Sequence, residues 1–151
     1  MVIVVTGGIG SGKSAVCRIL EEKYGCAVYY ADAEAKRLYR EYPEMILRME
    51  WQLGVSLRND DGNFVPGLLA ERIFGDENAI EIVESILFPY MLDDFKAFVR
   101  ENDGNVVFES ATVLEKPQFD GIADKIILVD APKELRLSRA CERDDVSEEK
   151  I

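Results

Sequence analysis

Short apolar runs alternate with amphipathic stretches along most of this chain. Val2 to Val5 is a β-branched run that reads as a strand, and Ala27 to Tyr30 reads as a second, shorter one. Val106 to Phe108 and Ile126 to Val129 are continuous apolar runs of the kind buried on both faces of a parallel sheet. Elsewhere the apolar residues recur at helical spacing. Ala15 to Tyr24 carries a stripe of Val16, Ile19, Leu20 and Tyr24, with Gly25 as its stop. Ala33 to Tyr42 sets Ala35, Leu38 and Tyr39 on one side, behind Asp32 as a candidate N-cap. Met45 to Leu53 and Leu68 to Phe74 predict two further helices, separated by a turn at Asn59 to Asn63. A long helix is expected from the cap residue Asp76 to about Arg100, with Ile80, Val83, Leu87, Met91, Phe95 and Phe98 along its buried face. Pro89 should kink or break it near Leu87. A last helix opens at Pro132 and runs to about Arg143.

Strands that alternate with helices imply an α/β fold built on a parallel sheet. The stretch from Asp32 to Asn102 has no convincing core strand and reads as a helical insertion. At 151 residues, 48% hydrophobic and 31% charged, the chain fits one domain with one real core. The formal net charge of −11, from 29 acidic and 18 basic side chains, argues against non-specific nucleic-acid binding, which requires a basic stripe. A polyanionic ligand must instead be held by a local cluster of donors. Cys17, Cys26 and Cys141 are odd in number, have no C-x-x-C spacing, and accompany no histidine, so a zinc site is not expected. Reduced thiols and the lack of a signal peptide or membrane-length apolar run suit a cytoplasmic address.

The chemistry concentrates at Gly7 to Ser14, G-G-I-G-S-G-K-S, which fits G-x-x-x-x-G-K-[ST] between a strand and a helix. Glycines let the main chain wrap phosphate oxygens with its N–H groups, and the helix behind adds the positive end of its dipole. Lys13 can reach the β- and γ-phosphates, and the Ser14 hydroxyl suits Mg²⁺. GTPases read guanine through Asn-Lys-x-Asp, which is missing, so a small-molecule kinase is favoured. Such an enzyme needs an acid on the acceptor side and arginines over the transferred group. Asp32, just past the second strand, is either that base or only a helix cap, and its position alone does not decide. Arg136, Arg139 and Arg143 share a helix face and could meet a phosphate or stack on adenine. They could equally be a solvated face paired with Glu134, Glu142 and Asp144. Glu109, ending the third strand, could hold a water on Mg²⁺ or make a strand-end salt bridge.

Taken in order, Thr6 to Ser14 (T-G-G-I-G-S-G-K-S), Ala31 to Ala33 (A-D-A), Glu71 to Asp76 (E-R-I-F-G-D), Phe88 to Met91 (F-P-Y-M), Glu109 to Glu115 (E-S-A-T-V-L-E) and Arg139 to Ser147 (R-A-C-E-R-D-D-V-S) resemble the dephospho-CoA kinase family. The resemblance implies a three-layer phosphate-loop kinase fold with a helical acceptor-binding insertion and a partial lid. It implies ATP-dependent phosphorylation of the ribose 3′-hydroxyl of dephospho-CoA, with ATP and Mg²⁺ required. The charge balance and the lack of a membrane-length apolar run add the expectation of no nucleic-acid or membrane partner, and a monomer is expected. Residues 1–31 and 103–142 would form the nucleotide-binding core, 32–102 the acceptor insertion and 143–151 the start of the lid. By the same likeness Gly8, Gly10, Ser11, Gly12, Lys13, Ser14 and Ala15 would grip ATP, Arg139 would lie towards adenine, and Arg143 over the phosphates. Lys13, Asp32 and Arg143 would carry catalysis, with Ser14 and, through water, Glu109 at the metal. The chain departs from the family pattern at Tyr30, where an acid is common, at Pro66-Gly67, where a basic residue usually lies nearby, and at Phe88, where His is usual. It also stops inside the expected lid, as a piece of a longer protein or a shortened gene product would. Those departures keep two alternatives in view: another small acceptor (a nucleoside, nucleotide or sugar acid), or a nucleotide-binding domain without turnover.

Overall fold

The computed structural model describes residues 1–144; residues 145–151, which carry most of the expected start of the lid, lie outside the described residues. In chain order the elements are β1 (Val2–Thr6), α1 (Lys13–Tyr24), β2 (Ala27–Tyr30), α2 (Ala31–Glu41), α3 (Pro43–Leu53), α4 (Pro66–Ile73), α5 (Glu77–Glu101), β3 (Val106–Glu109), β4 (Lys125–Leu128) and α6 (Lys133–Asp144). Two 3-10 turns, Val113–Glu115 and Pro117–Phe119, lie between β3 and β4. The chain divides into two compact units, one of residues 1–31 with 95–151 and one of residues 32–94.

The first unit is a four-stranded sheet in the order β2-β3-β1-β4. All its pairings are parallel: Val5 lies opposite Glu109 and Ile127, and Tyr30 opposite Glu109. Alternation along the strands sends Ile3, Val5 and Val107 to one face, where Cys17 of α1 and Cys26 complete a buried cluster. The other face carries Tyr29 and Phe108, whose rings stack at 5.4 Å. Phe95 and Phe98, in the last turns of α5, meet Tyr29 edge-on at 5.2 and 5.4 Å. Helices thus cover both faces of a parallel sheet, the three-layer arrangement of phosphate-loop kinases.

Three details differ from the sequence pattern. Only Cys17 of α1 is fully buried, whereas Ile19 and Tyr24 face solvent at 47% and 70% exposure, because the helix rests on the sheet along one narrow line. β4 spans Lys125–Leu128 and is an edge strand. It is not buried on both faces: Ile126 and Leu128 are exposed, since no described helix covers that side of it. Finally, α5 runs without interruption through Pro89. The carbonyl that proline leaves unbonded belongs to Ser85, an exposed residue that water can reach, so the helix is not broken there.

The second unit is helical. Leu38, Met45, Met49 and Leu57 are fully buried at its centre, with Leu69, Val83 and Ile86 nearly so. Asn59 to Asn63 forms a hairpin tip closed by the Arg58–Phe64 bridge, and Tyr39 packs edge-on against Phe64 at 5.4 Å. Arg37 pairs with Glu34, Glu41 and Asp94, and Arg58 grips Glu50 through two bonds of 2.7 and 3.1 Å. Asp76 caps α5 by accepting from the N–H of Ala79 at 3.0 Å. That bond, and then Arg72, hold its carboxyl below the usual range.

Candidate active site

β1 ends at the buried Thr6, and the chain then turns sharply to enter α1. Gly7 and Gly10 adopt φ of +152° and +74°. A Cβ on Gly7 would strike the carbonyl of Val129, and one on Gly10 would strike the main chain of Arg136. Both positions therefore need glycine for space as well as for conformation. The loop is braced by the Ser11 N–H bonding to the Gly8 carbonyl at 3.1 Å. Among the described residues, no acceptor engages the main-chain N–H groups of Gly10, Gly12, Lys13 or Ser14. Four amide donors at a helix N-terminus are the equipment for an anion. Ala15 is placed differently, its N–H already bonded to the Gly12 carbonyl at 3.1 Å.

Side chains add positive charge around these donors. Lys13 Nζ donates to the carbonyl oxygens of Gly7 and Gly8 at 2.9 and 3.1 Å. Arg139, exposed on α6, donates from Nη1 to the Gly10 carbonyl at 3.3 Å. Arg136, one turn earlier, donates from Nε to the Ala131 carbonyl at 3.0 Å and lays its Nη1 2.5 Å from the point where a Gly8 Cβ would stand. Of the two readings open for these two arginines, the face paired with acids does not form among the described residues: neither makes an ion pair there. Arg143 lies in the last turn of α6, exposed.

Glu109 ends β3 on the sheet face that carries α1. Its carboxylate bears on Cys17 and Tyr30, which sit on the same face. Burial, and then the carboxylates of Glu109 and Glu21, push the Cys17 thiol up to about 12. Tyr30 donates to Glu21 at 3.0 Å, a link between β2 and α1 that no motif announced. Its hydroxyl too is raised to about 12, by burial first and by that bond second. The Ser11 hydroxyl is buried and has no hydrogen-bond partner among the described residues.

The donor set fits a Mg²⁺ ion carried in with a phosphate ligand. Ser14 is exposed with its hydroxyl unengaged, and no group of three carboxylate, thiol or imidazole ligands exists among the described residues. An ion here would take most of its oxygens from phosphate and water, as Mg²⁺ commonly does.

Asp32 belongs to the helical unit and is the second residue of α2, inside the first turn. The capping role expected for it is therefore not taken up. Its carboxylate is exposed and makes no hydrogen bond or ion pair among the described residues.

Comparison with known proteins gives one answer. The sequence profile described as dephospho-CoA kinase matches residues 1–151. The dephospho-CoA kinase of Salinibacter ruber is 36% identical over 146 residues, which cover 95% of this chain and 73% of that protein. The dephospho-CoA kinase of Porphyromonas gingivalis is 35% identical over 97% of this chain and 72% of its own length. Among solved structures, TT1252 from Thermus thermophilus superposes with a TM-score of 0.84 at 27% identity, over 99% of this chain and 75% of that one.

Proposed function

The chain belongs to the dephospho-CoA kinase family, and from that premise we propose how its residues divide the work of the reaction. The enzyme transfers the γ-phosphoryl group of ATP to dephospho-CoA, giving CoA and ADP. Such a transfer depends mainly on positioning and charge neutralisation. The observation that carries the assignment of roles is the convergence of Lys13 and Arg139 on carbonyls of one loop whose amides at Gly10, Gly12, Lys13 and Ser14 remain open.

In this reading the open amides and the Ser11 hydroxyl hold the ATP phosphates, with Gly8 and Ala15 shaping the loop around them. Lys13 offsets charge on the β- and γ-phosphates, Arg139 lies towards adenine, and Arg143 closes over the transferred group. Asp32 removes the proton of the ribose 3′-hydroxyl as its oxygen forms the new bond to phosphorus, and the bond to the β–γ bridging oxygen breaks to release ADP. An unengaged carboxylate supports that role for Asp32. Mg²⁺, when bound, neutralises phosphate charge; Ser14 would hold it directly and Glu109 through water. Residues 1–31 and 103–142 serve as nucleotide-binding core, 32–102 as the acceptor segment, and 143–151 as the start of a lid. Free thiols at Cys17, Cys26 and Cys141 support a cytoplasmic address. No described helix is long and apolar enough to cross a membrane. We assign a monomer acting on small molecules, without nucleic acid.

Turnover measured with dephospho-CoA, adenosine and nucleoside monophosphates as acceptors tests the reading. ADP release should appear with dephospho-CoA and fall at least a hundredfold with the others. Equal turnover on adenosine would overturn the acceptor, and saturable ATP binding without any acceptor-dependent ADP release would make the chain a binding domain.

A further inference from the structure

We infer that Arg136 is a further phosphate-binding residue of this enzyme, acting beside Lys13 on the ATP polyphosphate chain. The inference rests on the reading that the Gly7–Ser14 loop holds ATP. Three observations carry it. Arg136 is seated directly on the loop, its main chain against Gly10 and its guanidinium over Gly8, with no side chain between them because both loop residues are glycine. The guanidinium is also oriented in advance, since Nε is fixed on the Ala131 carbonyl at 3.0 Å and the Nη groups make no hydrogen bond among the described residues. Most telling is its lack of an acid. Arg37, Arg58 and Arg72 each find a carboxylate, and the chain carries 29 acidic residues against 18 basic ones. Yet the half-buried Arg136 has no ion pair among the described residues.

A partly desolvated cation without a counter-charge is costly unless an anion arrives. The loop beneath it is built to receive one, and a guanidinium presents a planar fork that matches phosphate oxygens. Its neighbours three and four positions away along the chain are Pro132, Lys133, Arg139 and Ala140, so the helix itself offers this side chain no acid. It lies on the loop 128 positions earlier.

Equilibrium binding of Mg·ATP and of inorganic tripolyphosphate by the full chain tests the assignment, with Arg136→Gln, Arg136→Lys and Lys13→Ala compared to the parent. Arg136→Gln should weaken both ligands by the same factor, about tenfold to a hundredfold for a charge-assisted hydrogen bond, with Tm unchanged. Arg136→Lys should recover part of the loss. Weakening of ATP alone would place Arg136 on adenine, and a matching fall in Tm without recovery by lysine would make it a structural clamp; either result overturns the inference. Unchanged binding by Arg136→Gln alongside a loss in Lys13→Ala overturns it while leaving the phosphate loop intact. Failure of the parent to bind either ligand would sink the loop reading and this inference together.

Discussion

Lys13 Nζ donates to the carbonyl oxygen of Gly7 at 2.9 Å, so the ammonium rests on the loop it serves before any nucleotide is present. A second bond, to Gly8 at 3.1 Å, holds it there. Its charge need not be gathered from solvent when the phosphates arrive, which lowers the ordering cost of binding. Lys13→Ala should therefore raise the Kd for Mg·ATP about tenfold to a hundredfold. Calorimetric titration checks this, and an unchanged Kd would remove Lys13 from the phosphate site.

Asp32 leads to a different signature. A base that acts only on the acceptor hydroxyl contributes to the chemical step and hardly at all to ATP affinity. Asp32→Asn should lower kcat by about 10²- to 10⁴-fold, the usual worth of a positioned base, with the Kd for ATP within twofold of the parent. Turnover that survives intact would return Asp32 to the surface. A large loss of ATP binding would instead make it a metal or structural residue.

The sequence made the phosphate loop legible because its geometry is a property of eight consecutive residues, fixed by glycine, lysine and serine at set positions. The strands β1, β2 and β3 were legible for a similar local reason, their β-branched runs. The exposure of Ile19, Tyr24, Ile126 and Leu128 is not legible in the pattern because it depends on partners outside the segment. An amphipathic helix does not say which flank of its stripe meets the sheet, and a strand does not carry its own place in the sheet order. Asp32 illustrates the limit at a boundary, where the helix starting at Ala31 turned a candidate cap into a first-turn residue. The seating of Arg136 on Gly8 and Gly10 joins segments some 128 positions apart. Spacing alone could group Arg136 with Arg139 and Arg143 but could not choose the surface that they face.

Gly10 offers a test of that seating. An alanine at φ +74° carries the usual penalty of a left-handed residue, and its Cβ would also meet the main chain of Arg136, which no rotamer change relieves. Gly62 is the control, at φ +81° with nothing within 4 Å. Gly62→Ala should cost about 1 kcal/mol, roughly 2–4 °C in Tm. Gly10→Ala should lower Tm further and weaken ATP at least tenfold. Identical melting of the two variants would mean that α6 yields without cost.

Alkaline pH should loosen both units. Burial raises the Cys17 thiol from 9.0 and the Tyr39 hydroxyl from 10.0, each to about 12. Above those ordinary values an unfolded chain has released protons that the folded chain still binds. The unfolded state then holds fewer protons, so stability is complete below about pH 9 and declines as pH rises towards 12. The midpoint of urea unfolding should fall across that window. Cys17→Ala should flatten the decline attributable to the sheet unit, and Tyr39→Phe, which keeps the ring against Phe64, that of the helical unit. If neither substitution changes the slope between pH 9 and 11, these two groups titrate alike in the folded and unfolded chains, and the loss at high pH must come from elsewhere.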